Sequence, residues 1–191
     1  MDPETNPAMR KEIIGILLFA MVFFTLVSLI SFHPNDPSIH SATAPKTIHN
    51  VFGIVGAHTA GFLLGMFGIG AFWIPLLCLY MGWQFFLKPP KRFVLEAVTG
   101  GTMLIIATGA LFALSGPKIK LFSINFSSGG VIGIPIAALF LNYTNKLGGY
   151  FLLSVLWVIG LLLITRVSVI HLLKLTGSTA SMGVDRSRTL L

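Results

Sequence analysis

The sequence predicts an all-α membrane protein: four transmembrane helices, additional interfacial helices on the outer face, and both ends of the chain in the cytoplasm. Three observations carry that expectation. Hydrophobic residues make up 54% of the chain and charged ones only 10%, with a mean hydropathy of +0.87, whereas soluble domains carry about a quarter charged residues. Apolar runs recur that are long enough, at about 1.5 Å of rise per residue, to cross a hydrocarbon core of about 30 Å. Between two of them stands the polar stop Lys88-Pro89-Pro90-Lys91-Arg92. Each charge would cost about 2.5–3.5 kcal/mol at the centre of a membrane helix, so this turn belongs in or beyond the headgroups. Its prolines lack N–H donors and disfavour helix in the residue before them, which ends the arriving helix. Its three cations place it in the cytoplasm, because short loops rich in Lys and Arg stay inside.

The first span is expected over residues 13–32, after a polar cytoplasmic stretch 1–12 that carries Arg10 and Lys11. The run exceeds the core of a cleavable signal, about 7–15 residues, and no small-x-small cleavage site follows it, so it reads as a retained helix. Phe32 to Ser38 then sets Pro34, Asn35, Asp36 and Pro37 side by side, a rigid turn capped by its own side chains. His33, His40 and His49 share this outer loop. No pair of them has the short spacing of metal ligands and no Cys or Glu accompanies them, so no metal is expected.

Residues 51–87 are apolar for 37 positions, which as one helix would extend about 55 Å, so at least two pieces are required. Gly65, Gly68 and Gly70 mark the joint, glycine being the easiest place to bend the backbone. Ahead of it Gly53, Ala57, Gly61 and Gly65 recur every fourth residue, a ridge of small residues that lets helix backbones touch. Residues 50–64 are therefore expected near the outer interface, and 66–87 as the second span, kinked around Pro75 with Trp83 at the inner headgroups. The third span, 93–114, carries its own ridge at Ala97, Gly101, Gly109 and Ala113, the expected partner of the first, within one bundle or between copies. Glu96 is the acid well inside an apolar run. Its place one turn from Arg92 favours a carboxylate snorkelling to a headgroup-level arginine over a transport site.

A polar, strand-like piece follows at 118–126, then an apolar run from Gly129 to Tyr143 that holds Pro135 and falls short of the twenty or so residues a span needs. It is expected to lie flat or dip partway in. Gly148-Gly149 is expected to reset the chain direction before the last span, 150–166, with 167–175 closing the membrane domain 13–175 and 176–191 starting a cytoplasmic linker. Arg10, Lys11, Lys88, Lys91, Arg92, Arg166, Lys174, Arg186 and Arg188 then face inward, and only Lys46, Lys118, Lys120 and Lys146 outward. Lys88, Lys91, Arg92 and Arg166 set this topology. The net charge of +7 is thus spread over the ends of apolar segments, without the basic face that nucleic acid requires. Cys78 has no partner for an internal disulfide and reads as apolar filler.

Laid in order, several motifs together resemble the N-terminal membrane domain of the FtsK/SpoIIIE family of bacterial DNA translocases. They are Phe32-x-Pro34-x-Asp36-Pro37-Ser38, then Asn50-x-x-Gly53-x-x-Gly56-Ala57-x-x-Ala60-x-x-Leu63, Phe67-Gly68-x-x-Ala71 with Pro75, and Ser128-Gly129-Gly130-Val131-Ile132-Gly133 with Gly148-Gly149. The resemblance runs from about Ile13 to Leu175. It implies an inner-membrane anchor at the division septum, joined by a linker to a cytoplasmic motor ring that uses ATP and Mg2+ to pump chromosomal DNA. It also implies membrane lipids, other division proteins and further copies of the chain as partners, with DNA reached only through the motor. No Gly-x-x-x-x-Gly-Lys-Ser/Thr phosphate loop occurs in this sequence, so the chain is expected to be the membrane portion of a longer protein, with no enzyme activity and no cofactor of its own.

The residues by themselves support a small four-helix membrane protein. A transporter or channel, the alternative, would want polar groups converging inside the membrane, where only Glu96, Thr102 and Thr108 come near. An intramembrane enzyme would want a nucleophile beside its base, and Ser154 and Cys78 have none. An anchoring and assembly module needs only spans, small-residue faces and a free cytoplasmic end.

Overall fold

The computed structural model describes residues 7–38, 47–86, 93–116, 118–121 and 124–166. In order these form α1 (Pro7–Ile30), α2 (Gly53–Phe67), a 3-10 turn (Gly68–Phe72), α3 (Trp73–Phe86), α4 (Phe93–Ser115), β1 (Lys118–Leu121), β2 (Ile124–Ser127), α5 (Gly130–Tyr143) and α6 (Lys146–Thr165). Four helical stretches, Met9–Ile30, Gly53–Gln84, Val94–Ser115 and Lys146–Thr165, are long and apolar enough to cross a membrane, and α5 is shorter. The class that composition implies is therefore the one observed, a helical membrane domain with four spans. The strand-like piece is an antiparallel hairpin, with Lys118 opposite Ser127 and Leu121 opposite Ile124. The polar stop 88–92 and the tail 167–191 lie outside the described residues.

The surplus length of residues 51–87 is resolved at the expected glycines. α2 ends at Phe67, Gly68 takes φ 58°, and the 3-10 turn leads into α3. A side chain rarely adopts that left-handed backbone, so glycine is required there. Two expectations need correction. Pro75 is fully buried in the first turn of α3, directly after the 3-10 turn, so it stands at the start of that helix and not at a bend within it. Gly148-Gly149 does not turn the chain either. The reversal is made by Asn145, whose side-chain Oδ1 accepts the Gly148 N–H at 2.7 Å and caps α6 four residues ahead of the expected start.

α4 is the hub of the bundle and packs on α6, α5, the 3-10 turn and α3, while α1 packs on α2 and α3. Core residues are mostly small. One cluster joins Leu29, Ala60, Leu64 and Ala71, the other Ala110, Leu114, Ala137 and Leu153. Lipid is as apolar as any leucine, so close backbone approach has to hold such helices together in place of a hydrophobic drive. Where α4 crosses α6, Gly100 lies on Gly160, and a Cβ on either glycine would stand within 2.9 Å of the other's carbonyl oxygen. The expected pairing of the two small-residue ridges is not what forms. Gly61 faces Ser38, Gly101 faces the Leu77 side chain, and the space beside Gly53 is open, its φ of 60° being the reason for glycine there.

A polar clamp ties three helices. The Trp73 and Trp157 indole N–H groups, on α3 and α6, both donate to Thr108 Oγ1 of α4, at 2.9 and 3.1 Å, with the rings edge to face at 6.1 Å. Thr108 is buried, so the two indoles have no water to turn to. Thr108→Val, which keeps the shape and removes the acceptor, is expected to destabilise the domain by about 1–2 kcal/mol in a detergent unfolding titration, with Thr108→Ser close to the parent.

Candidate functional site: a polar lock and a glycine knot

The loop leaving α1 is held by one carboxylate. Asp36 is 1% exposed; its Oδ1 accepts the His49 N–H at 2.8 Å and faces His49 Nδ1 at 3.1 Å, while Oδ2 accepts the Asn50 N–H at 2.8 Å. Pro34 and Pro37 on either side restrict the backbone, and the Asp36 N–H closes a turn onto the His33 carbonyl at 3.0 Å. Asn50 extends the lock. Its Nδ2 donates to the Ser28 carbonyl of α1 at 2.9 Å, and its Oδ1 accepts the Phe52 N–H at 3.1 Å on the approach to α2. Gly56 lies against that Oδ1 with no room for a Cβ, and Ser38 fills the face of Gly61. Residues of two separate motifs, Asp36 with Ser38 and Asn50 with Gly56, thus close on one another. His33 stacks on His49 with ring centroids 4.3 Å apart, a juxtaposition that sequence spacing did not suggest.

Burial pushes the Asp36 carboxyl up, and the hydrogen bonds from His49 and Asn50 outweigh it, leaving the group below the ordinary carboxylate range. A carboxylate lowered by folding stabilises the folded state above its unfolded value of about 3.9, and that contribution fades as pH falls through the folded value. Asp36→Asn is expected to cost about 1–3 kcal/mol near neutral pH, because one oxygen cannot serve both the His49 and the buried Asn50 N–H groups, and its deficit against the parent should shrink as unfolding is repeated toward pH 3.

The second junction is made of backbone. The Ile69 N–H, at the start of the 3-10 turn, donates to the Ser128 carbonyl at 3.1 Å. A Cβ at Gly68 would collide with that carbonyl, one at Gly130, whose φ is 62°, would stand 2.6 Å from Met66, and one at Gly129 would stand 2.7 Å from the Gly109 carbonyl oxygen of α4. A Cβ at Gly133 would stand 2.7 Å from the Gly109 backbone, and one at Gly109 would stand 2.8 Å from the Phe67 carbonyl oxygen. The Phe67-Gly68 and Ser128-Gly129-Gly130 motifs therefore meet on the α4 ridge at Gly109, with Ala113 against Gly129. The Ser128 hydroxyl is buried without a hydrogen-bond partner among the described residues, so the position uses its small size and its carbonyl. Gly109→Leu and Gly133→Leu are expected to cost the isolated chain at least about 1–3 kcal/mol, read as lost monodispersity and a lower melting point in detergent. A folded monomer that has lost only self-association would place these glycines between chains instead.

The opposite end of the bundle carries the charge. Arg166, which ends α6 with φ 55°, pairs with Glu96 near the start of α4. The Tyr80 hydroxyl donates to the Ile164 carbonyl at 3.1 Å and accepts from Gln84 Nε2 at 3.0 Å. Arg166 reaches Glu96 because the end of α6 lies beside the start of α4, a proximity no local spacing reveals. The expected Glu96–Arg92 pair falls outside the described residues, as do Lys88 and Lys91. Ala57 and Ala97 are buried, at 1% and 3% exposure, and Gly65 lends its carbonyl to the knot beside Gly130.

Residues 8–177 match the family model described as the 4TM region of DNA translocase FtsK/SpoIIIE. Among curated relatives, the DNA translocase FtsK of Shewanella oneidensis is 30% identical over 173 residues, which cover 86% of this chain and 19% of that protein. The FtsK of Vibrio vulnificus is 31% identical, covering 87% of this chain and 17% of the relative, and that of Rickettsia bellii 33% identical, covering 75% and 18%. The chain thus spans less than a fifth of the length of these relatives, and the matched family region is their membrane region and not a motor. No solved structure matches it. With four apolar spans gathered around a glycine knot built from the family's motif residues, the chain is a multi-pass membrane protein that belongs to the 4TM region family of the FtsK/SpoIIIE DNA translocases.

Proposed function

We propose that the chain is the inner-membrane anchoring and assembly module of a septal DNA translocase, holding at the division site a cytoplasmic ATP- and Mg2+-driven motor that acts in chromosome segregation. The observation that carries this reading is the family match over residues 8–177 on a domain whose motif residues Asp36, Asn50, Gly68, Gly129 and Gly130 join separate segments of the membrane bundle. The polar groups inside the bundle support anchoring over transport. Thr108, Trp73 and Trp157 satisfy one another, and Glu96 is paired at a helix end, so no row of free polar groups crosses the spans among the described residues.

In this module both ends of the chain face the cytoplasm. The ends of α3 and α6 and the start of α4 share one side through Tyr80, Ile164, Glu96 and Arg166, and Leu18 of α1 meets Gly82 of α3, so that side also receives the start of α1. α2 and α5 are outer-face helices that do not cross. Phe52, just ahead of α2, packs on Phe23 and Phe24, Ala60 and Leu64 of α2 lie beside Leu29, all in the second half of α1, and α5 meets α4 between Gly109 and Leu114. The module gathers further copies of itself and other division proteins, which raises the local concentration of the tethered motors. The ridge glycines Gly61, Gly101 and Gly109 are occupied within one chain, so self-association uses the remaining lipid-facing surface.

A fluorescent fusion of this chain alone is expected to concentrate at the septum of dividing host cells, and uniform membrane fluorescence would count against the proposal. In a background lacking Cys78, a cysteine at exposed Asn35 should be labelled by an impermeant reagent from outside, and labelling only after lysis would overturn the orientation.

A further inference from the structure

We infer that His33 and His49 form a two-imidazole site for a divalent transition metal of the zinc type, with Asp36 as the carboxylate that orients His49. One ligand atom each of His33, Asp36 and His49 lies within 4.8 Å of the other two, although fifteen residues of chain separate the histidines. The geometry distributes the roles. Both Asp36 oxygens already accept backbone N–H groups, so the carboxylate serves best as the partner of a ligating imidazole. With its proton on Nδ1, toward Asp36, His49 turns the Nε2 lone pair away from the carboxylate, an arrangement that fixes the tautomer and raises the basicity of metal-binding histidines. His49 leaves 51% of its side chain exposed, so an ion and its waters have access.

His33 supplies the second nitrogen. Its Nδ1 accepts the exposed Asn35 N–H at 3.3 Å, a long bond, and ligation through Nε2 with the proton moved to Nδ1 gives up only that contact, which water replaces. The rings now stack at 4.3 Å with 27° between planes, so both must rotate to bring their nitrogens onto one ion. Exposure of His49 and partial exposure of His33 leave room for this. Imidazole suits zinc, copper and nickel, while the absence of thiolate and the two protein nitrogens limit the affinity to a loosely held, exchangeable ion. Bound there, the ion would bridge the exit of α1 to the approach of α2 and reinforce the Asp36 lock.

Zinc chloride titrated into the purified full chain in detergent, prepared without a polyhistidine tag, tests the site by calorimetry. One ion per chain is expected, with at least a tenfold loss of affinity in His33→Gln and in His49→Gln, and none in His40→Ala or His58→Ala. In the unsubstituted protein, imidazole 15N resonances of His33 and His49 should shift together on zinc addition, a readout that does not depend on the variants folding. No uptake at 100-fold molar excess, uptake that survives either glutamine variant, or shifts confined to other histidines would overturn the assignment.

Discussion

Three segments of backbone meet at Gly109 with no side chain between them, and the arrangement of the bundle depends on that contact. The 3-10 turn after α2 comes from one side and the Ser128-Gly129-Gly130 turn before α5 from the other, joined by the Ile69 to Ser128 hydrogen bond and pressed onto α4. A membrane helix gains nothing from hiding apolar side chains from lipid, so its association relies on dispersion and on polar contacts made at close range. Close range requires the absence of Cβ atoms. This is why the turns on either side of Gly109 are built on Gly68, Gly129 and Gly130.

The Asp36 lock in the loop after α1 and the Thr108 clamp within the bundle follow the complementary rule. Backbone and side-chain polar groups taken from water need partners, and each of these sites gives one acceptor several donors. Asp36 receives N–H groups from His49 and Asn50, and Thr108 receives two indoles. In both, residues distant in the chain converge on a single side chain, so each acceptor sets the relative position of two or three elements. The Glu96–Arg166 pair does the same at the charged end, though both side chains are about one-third exposed, and an accessible ion pair contributes less than a buried one.

Local signals in the sequence determined the number of spans, the glycine joint at Gly68 and the strand-like piece, because each depends on hydropathy, charge or backbone freedom at a few neighbouring positions. What faces what was decided only by the tertiary structure. A soluble helix announces its buried side by an apolar stripe, but helices such as α4 and α6 are apolar all round, so period and composition carry no direction. Hence the sequence led to two ridges meeting each other, whereas Gly61 meets Ser38, Gly101 meets Leu77, and the true α4–α6 crossing uses Gly100 and Gly160, one step off the ridge. Nor did it bring Arg166 to Glu96, a pair made by the end of α6 reaching the start of α4, and it left His33 and His49 as unrelated loop residues. Their juxtaposition comes from the buried carboxylate of Asp36, three residues after His33, which accepts the His49 N–H, and no spacing rule within one segment contains that information.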